Sequence, residues 1–209
     1  MRRLAILGAS GHGKVVADAA LAEGWQSVAF YDDAWPAVAA VGPWPVVGRT
    51  VELLRDAAQL DGAVVGIGDN ATRLAKQRDL LADGVVLASV VHPAAVVSPL
   101  AQVGEGSVIF AGAVVNPFAR LGRGCIVNTG ASVDHDCELA DAVHVSPGAH
   151  LGGGVHVGEA TWIGIGASVK HDLAIGAGVV VGAGAAVVND IADGLTVMGV
   201  PAKPLERRP

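Results

Sequence analysis

IVNTGA-SVDHDC-ELADAV, residues 126–143, is three hexapeptides laid end to end, and its reading decides the fold of more than half the chain. In each hexad the second letter is aliphatic (Val127, Val133, Leu139) and the sixth is compact (Ala131, Cys137, Val143). The frame extends both ways without a break, from VVHPAA at 90–95 to AVVNDI at 186–191, through 17 hexads. Val, Ile or Leu fills the second place every time, and Leu173 and Ile191 are the largest sixth letters. A period of six this regular marks a solenoid in which each repeat makes one short strand. The aliphatic residue points inward, three strands close a triangular coil of 18 residues, and residues 18 apart stack at about 4.8 Å. The pattern carries no handedness. Cys125 and Cys137 fall in the compact inward column and read as buried thiols rather than a disulfide framework.

The composition agrees. Of 209 residues, 52% are hydrophobic but only 4% aromatic, and 29 are glycine, so the core must be built from small aliphatic side chains. A net charge of −6 with no basic run argues against a nucleic-acid or anionic-membrane surface. Met1-Arg2-Arg3 leads into a short apolar run and a glycine turn, not a signal peptide, and no stretch is long enough to span a bilayer. A cytoplasmic protein is expected.

The first ninety residues have a different grammar. Strands are expected at Arg3–Leu7, Ser27–Tyr31, near Val46-Val47, at Ala63–Ile67 and at Val85–Val90, with helices at Lys14–Ala22, Thr50–Ala58 and Ala71–Leu81. That alternation implies a parallel sheet with helices on its faces, a small Rossmann-like α/β domain. The expected organisation is therefore an α/β domain over 1–90, an all-β parallel helix over 91–198 and a tail over 199–209.

Gly8-Ala9-Ser10-Gly11-His12-Gly13-Lys14 joins the first strand to the first helix, where backbone N–H groups and the helix dipole favour phosphate. It is neither a P-loop, because Val15 replaces the magnesium-binding hydroxyl, nor the dinucleotide G-x-G-x-x-G. Asp32-Asp33 ends the second strand, where carboxylates accept ribose hydroxyl protons. Gly66-Ile67-Gly68-Asp69-Asn70 ends the central strand at the same sheet edge. A nucleotide is the simplest ligand common to the three loops.

Among seven histidines, His144, His150 and His156 open successive hexads and so lie on three faces of one coil. They cannot chelate one metal within a chain, which weakens a zinc carbonic-anhydrase reading, and no metal is expected. His150 and His156 read as surface residues, His92 as a linker residue, and His171, two coils beyond His135, as having no direct role. His135 is flanked by Asp134 and Asp136, either of which can orient its imidazole. The residue stacked over it is Gly153, which leaves room for a substrate and offers an N–H to an oxyanion.

Taken in order, the Gly8–Lys14 loop, Phe30-Tyr31-Asp32-Asp33, Ile67-Gly68-Asp69-Asn70, Asn128–Cys137, His144-Val145-Ser146 and Gly199-Val200-Pro201-Ala202-Lys203 make a pattern. By it the chain resembles the PglD/NeuD group of bacterial sugar acetyltransferases over nearly its whole length. The resemblance implies a left-handed β-helix, a homotrimer and a role in polysaccharide biosynthesis. It implies acetyl-CoA as cosubstrate and a nucleotide-linked 4-amino-4,6-dideoxy sugar as acceptor, with UDP, dTDP and GDP left open. The family's base falls on His135 and its acid on Asp136, with an active-site asparagine at Asn128. His144 falls on the acetyl thioester contact, and Ile165 and Ala183 on backbone contacts to CoA, although Ala183 stands where some members have glycine. Ser10, Gly11, His12, Asp32, Asp33 and Gly68 fall on the nucleotide-sugar site.

Because His135 and His144 lie on different faces, they can serve one thioester only if a neighbouring subunit supplies one of them. The active site is therefore expected between protomers. Direct transfer is expected, since both cysteines point inward and no serine is placed as a nucleophile. The competing readings are a sialic-acid-type O-acetyltransferase and a non-catalytic nucleotide-binding solenoid.

Overall fold

The computed structural model describes residues 2–205; Met1 and residues 206–209, which include the end of the expected tail, lie outside the described residues. The chain divides into two compact units, Met1–Pro93 and Ala94–Pro209.

In the first unit, β1 (Arg3–Leu7), β2 (Ser27–Tyr31), β4 (Trp44–Gly48) and β5 (Gly62–Val65) form the sheet, joined at its edge by the short β3 (Ala40–Val41). The order is β3-β4-β2-β1-β5, parallel except for the β3–β4 hairpin. Helices α1 (Gly11–Glu23), α2 (Thr50–Asp56) and α3 (Asn70–Ala82) connect the strands. Alternation along β1 sends Ala5 and Leu7 into a cluster with Leu53 of α2 and Leu80 of α3. Leu4 and Ile6, pointing the other way, are equally buried. The expected strand over Val85–Val90 does not form as such. Leu87 makes one parallel bridge to Ala63, and a two-residue strand, β6, follows at Val90–Val91. Val85 and Leu87 are buried while Val86 is exposed, so the alternation is that of a strand, but the pairing stops after one residue.

The second unit is a left-handed parallel β-helix. Two-residue strands stack on three faces with a register of 18, as in Val114↔Ser132↔His150↔Ser168↔Ala186 on the first face. The second face carries Gln102, Arg120, Glu138, His156 and Ala174, and the third carries Val108, Ile126, His144, Trp162 and Val180. The second hexad letter is buried from Ile109 to Val187, and the sixth letters fill the space between. Both cysteines lie there as free thiols; Cys125 Sγ donates to Ala140 O and Cys137 Sγ to Gly152 O, each at 3.2 Å.

The fifth letter has a role that the hydrophobic pattern did not show. From Gly106 to Gly184 it turns each corner in the left-handed region, with φ between 56° and 71°. Glycine meets that demand without strain, which accounts for many of the chain's glycines. Phe118, Asp136, Ala142, Ala160 and Asp172 hold the same conformation with a side chain.

The last coil departs from the hexad frame. Ile191 pairs with Ile175 and Thr196 with Val180, a spacing of 16 instead of 18. Ile191 therefore fills the inward strand column rather than the sixth-letter place assigned from the sequence. Thr196–Met198 then pairs antiparallel with Lys203–Pro204, closing the stack with a hairpin. Among the described residues no helix is long and apolar enough to cross a membrane.

Candidate active site

The repeat arithmetic positions His135. It occupies the corner between the first and second faces, the fourth letter of a hexad whose Val133 and Cys137 are anchored in the core. The two neighbouring carboxylates have separate tasks. Asp136, turned by its left-handed backbone, brings Oδ2 to 2.8 Å from His135 Nδ1. Asp134 does not touch the ring; its Oδ1 accepts the His135 backbone N–H at 2.8 Å and the Asn116 side-chain amide at 2.7 Å. Asn116 is 18 residues before Asp134, so the one-coil stacking rule would have found it. The Asp136 hydrogen bond raises the His135 pKa above its ordinary 6.5, opposed by desolvation and aided by the charges of Asp134, Asp136 and Asp172. With Nδ1 engaged, Nε2 is the atom left for proton transfer.

Gly153 faces that atom. A Cβ built on it would lie 2.5 Å from His135 Cε1 and 2.6 Å from Nε2, so the imidazole rests against a bare α-carbon. Gly152 N–H donates to Val169 O and Gly154 N–H to His135 O, both at 2.9 Å, whereas Gly153 N–H takes no part in this coil-to-coil ladder. A donor beside the base is what a developing oxyanion requires.

Asn128 and His144 form a second cluster on the third face. His144 is buried, and its Nε2 lies 3.1 Å from Asn128 Nδ2. Asn128 Oδ1 accepts the Thr129 N–H at 2.9 Å, which fixes the amide so that Nδ2 donates. Nε2 of His144 is then placed as the acceptor of that bond. Trp162, absent from the sequence reading, stacks on the His144 ring with centroids 5.3 Å apart and donates Nε1–H to Ser146 Oγ at 2.6 Å. Its position 18 residues after His144 was the available signal. Ile165 and Ala183 stack one coil apart on the corner between the third and first faces. Ile165 is 61% exposed, and with Trp162 and Val180 it makes an apolar strip. Within one chain the structure thus joins His135, Asp136 and Gly153 in one cluster and Asn128 and His144 in another. Ile165 and Ala183 occupy a different corner from His135.

The nucleotide-loop residues lie in the first unit at the carboxyl ends of β1, β2 and β5. Gly8, Gly13 and Gly66 pack backbone to backbone: a Cβ on Gly13 would strike Gly8 O, and one on Gly66 would lie 3.0 Å from Gly13 Cα. These glycines serve close strand–helix approach. Ser10 is the N-cap of α1 but makes no side-chain cap bond, and Gly11 opens the helix with space around its α-carbon. Asp32 accepts Ala9 N–H at 2.7 Å and Ala34 N–H at 2.9 Å, pinning the glycine loop to the end of β2. Asp33 accepts Thr50 N–H and pairs with Lys76 Nζ at 2.7 Å; chiefly through Lys76, its pKa falls to about 2. Arg73, fully buried, donates to Ile67 O, Gly68 O and Asn70 Oδ1, fixing the loop that carries Gly68. Burial, with help from the Arg73 charge, lowers the His12 pKa to about 4 and keeps its ring neutral near pH 7.

A solenoid of hexapeptide coils with a histidine–carboxylate pair at a glycine notch is the architecture of left-handed β-helix acyltransferases. The PglD N-terminal domain family matches residues 3–80. The acetyltransferase domain of PglB from Neisseria gonorrhoeae FA1090 is 46% identical over 98% of this chain and 100% of that one, with a TM-score of 0.93. PerB from Caulobacter crescentus, solved in complex with CoA and GDP-perosamine, is 41% identical over 97% and 96% of the two chains, with a TM-score of 0.92. WeeI from Acinetobacter baumannii AYE is 28% identical over 98% and 100%, with a TM-score of 0.86. The comparison with curated proteins gave no match. The chain belongs to the PglD/NeuD-like family of bacterial sugar acetyltransferases.

Proposed function

We propose that this protein transfers the acetyl group of acetyl-CoA to the 4-amino group of a nucleotide-linked 4-amino-4,6-dideoxy sugar. The observation that carries the reading is the His135 imidazole, with Nδ1 tied to Asp136 and Nε2 against the bare Gly153. The PerB complex with CoA and GDP-perosamine supports this acceptor class and the cosubstrate.

In the proposed reaction Nε2 of His135 takes a proton as the sugar amine attacks the thioester carbonyl carbon. The new C–N bond gives a tetrahedral intermediate whose oxyanion accepts the Gly153 N–H. The C–S bond then breaks, and the departing thiolate takes the proton from the imidazolium. The products are the N-acetyl sugar and CoA thiol, with no acyl-enzyme. Asn128 and His144 hold the thioester, the backbone at Ile165 and Ala183 receives the rest of CoA, and Ser10, Gly11, His12, Asp32, Asp33 and Gly68 receive the nucleotide.

The separation of the His135 and His144 clusters supports a homotrimer in which each acetyl-CoA lies between two subunits. The exposed apolar strip of Trp162, Ile165 and Val180 is suited to being covered. Two buried free thiols fit a reducing, cytoplasmic setting.

The test is an acetyl-transfer assay over UDP-, dTDP- and GDP-linked amino sugars, reading CoA thiol release, with the same preparation examined by sedimentation. Turnover of a 4-amino sugar by a trimer is expected. Transfer only to sialic acid hydroxyls, or tight acetyl-CoA binding without turnover, overturns the acceptor assignment. A fully active monomer overturns the intersubunit site.

The pH dependence has a defined sign. The base must be neutral to work, and Asp136 raises its pKa, so kcat/KM falls as pH drops through a value above 6.5. Asp136→Asn removes the largest cause of that rise and moves the acid limb to lower pH. An unmoved limb assigns the base elsewhere.

A further inference from the structure

SVDHDC at 132–137 returns two coils later as SVKHDL at 168–173. The second histidine–aspartate pair adopts the pose of the first. Asp172 has φ 56° where Asp136 has 59°, and Asp172 Oδ2 is 2.8 Å from His171 Nδ1. The sequence alone gave His171 no role. The structure shows what separates the two pairs: Gly152-Gly153-Gly154, a stretch with no side chains.

A Cβ on Gly153 would meet the His135 ring, and one on Gly154 would lie 2.5 Å from Asp172 Oδ1. The backbone ladder fixes the three levels, with Gly154 N–H donating to His135 O and Asp172 N–H to Gly153 O, both at 2.9 Å. The notch therefore has an imidazole on its N-terminal side and a carboxylate on its C-terminal side. His171 holds Oδ2, which leaves Oδ1 directed over the glycines. Asp136 is committed to the His135 ring, and Asp134 to a backbone N–H and to Asn116.

A primary sugar amine is an ammonium near neutrality, with a full charge and three donors; a hydroxyl is neutral with one. One imidazole can accept from either. A carboxylate across the notch distinguishes them, because charge-assisted hydrogen bonds are about twice as strong as neutral ones. We infer that Asp172 selects the acceptor: its Oδ1 receives the substrate ammonium opposite His135 and favours an amine over a hydroxyl at the same carbon. This rests on the amino-sugar reading above and adds no covalent step: the bound ammonium first gives one proton to solvent, and His135 takes the second as the neutral amine attacks. It gives the second pair a task and makes the choice between nitrogen and oxygen a property of one residue.

The test compares Asp172→Asn with wild type. Asparagine tolerates the left-handed backbone and keeps the shape while removing the charge. KM for the nucleotide-linked 4-amino sugar is measured beside the inhibition constant of the matching 4-hydroxy compound, with KM for acetyl-CoA as control. The expected result is a loss of about tenfold for the amino ligand. The hydroxy ligand and acetyl-CoA change little, and Asp172→Glu recovers part of the loss. An unchanged amino-to-hydroxy ratio in an active variant overturns the role of Asp172 alone, as does an equal loss for every ligand. A wild-type enzyme that turns over no amino sugar overturns the parent reading and this one with it.

Discussion

With His135 replaced by Ala, acetyl transfer falls by about 10²–10⁴-fold while the protein remains folded. The side chain is more than half exposed, and its hexad is anchored by Val133 and Cys137, both fully buried, so truncation removes nothing from the core. The Gly154 N–H bond is to the His135 carbonyl, which alanine retains. Circular dichroism and sedimentation should therefore match wild type. What is lost is the group that takes the proton from the amine and returns it to the thiolate, and with it the acid limb of the pH profile. Residual turnover reflects binding and the Gly153 donor. A near-normal kcat in a folded His135→Ala protein removes His135 from the mechanism.

Gly153→Ala is expected to cost at least about 100-fold in kcat, for a purely geometric reason. Gly153 does not turn a corner in the left-handed region; its neighbour Gly154 does, at φ 69°. The added methyl therefore meets no backbone penalty, only the imidazole, 2.5–2.6 Å from Cε1 and Nε2. The ring ends a short exposed side chain and can swing away, so the fold survives while the base leaves its station. Gly152 makes the contrast. A Cβ there would lie 2.7 Å from the His171 backbone nitrogen, which cannot swing. Gly152→Ala should be read out in stability and Gly153→Ala in kcat. Unchanged turnover in Gly153→Ala means that the imidazole does not work from this notch.

The solenoid was legible because its period is carried by side chains that cannot be elsewhere: fourteen consecutive second letters, Ile109 to Val187, are buried. That period also placed Gly153 over His135 before any coordinates. Ile191 shows its limit. A two-residue shortening leaves an aliphatic residue where the frame expects one, so the shift is silent in composition. The division of labour between Asp134 and Asp136 was equally hidden, since it depends on a positive φ at residue 136. The glycine loop held a second demand that its spacing did not show: a Cβ on Gly13 would strike Gly8 O, so close packing requires these glycines whatever the loop binds. Arg73 carried no motif and only its burial singles it out, whereas Trp162 was marked by nothing but its place one coil beyond His144.

The closing hairpin has a consequence for the last coil of the stack. A stack of parallel coils exposes, at its last rung, a row of unpaired peptide groups on which any other strand could add, so an unfinished prism is a seed for fibres. Here Lys203-Pro204 runs against Thr196–Met198 in the opposite sense. It presents a charged side chain and an imino acid with no N–H to donate. On this third face the rung that could have propagated is blunted by the chain itself.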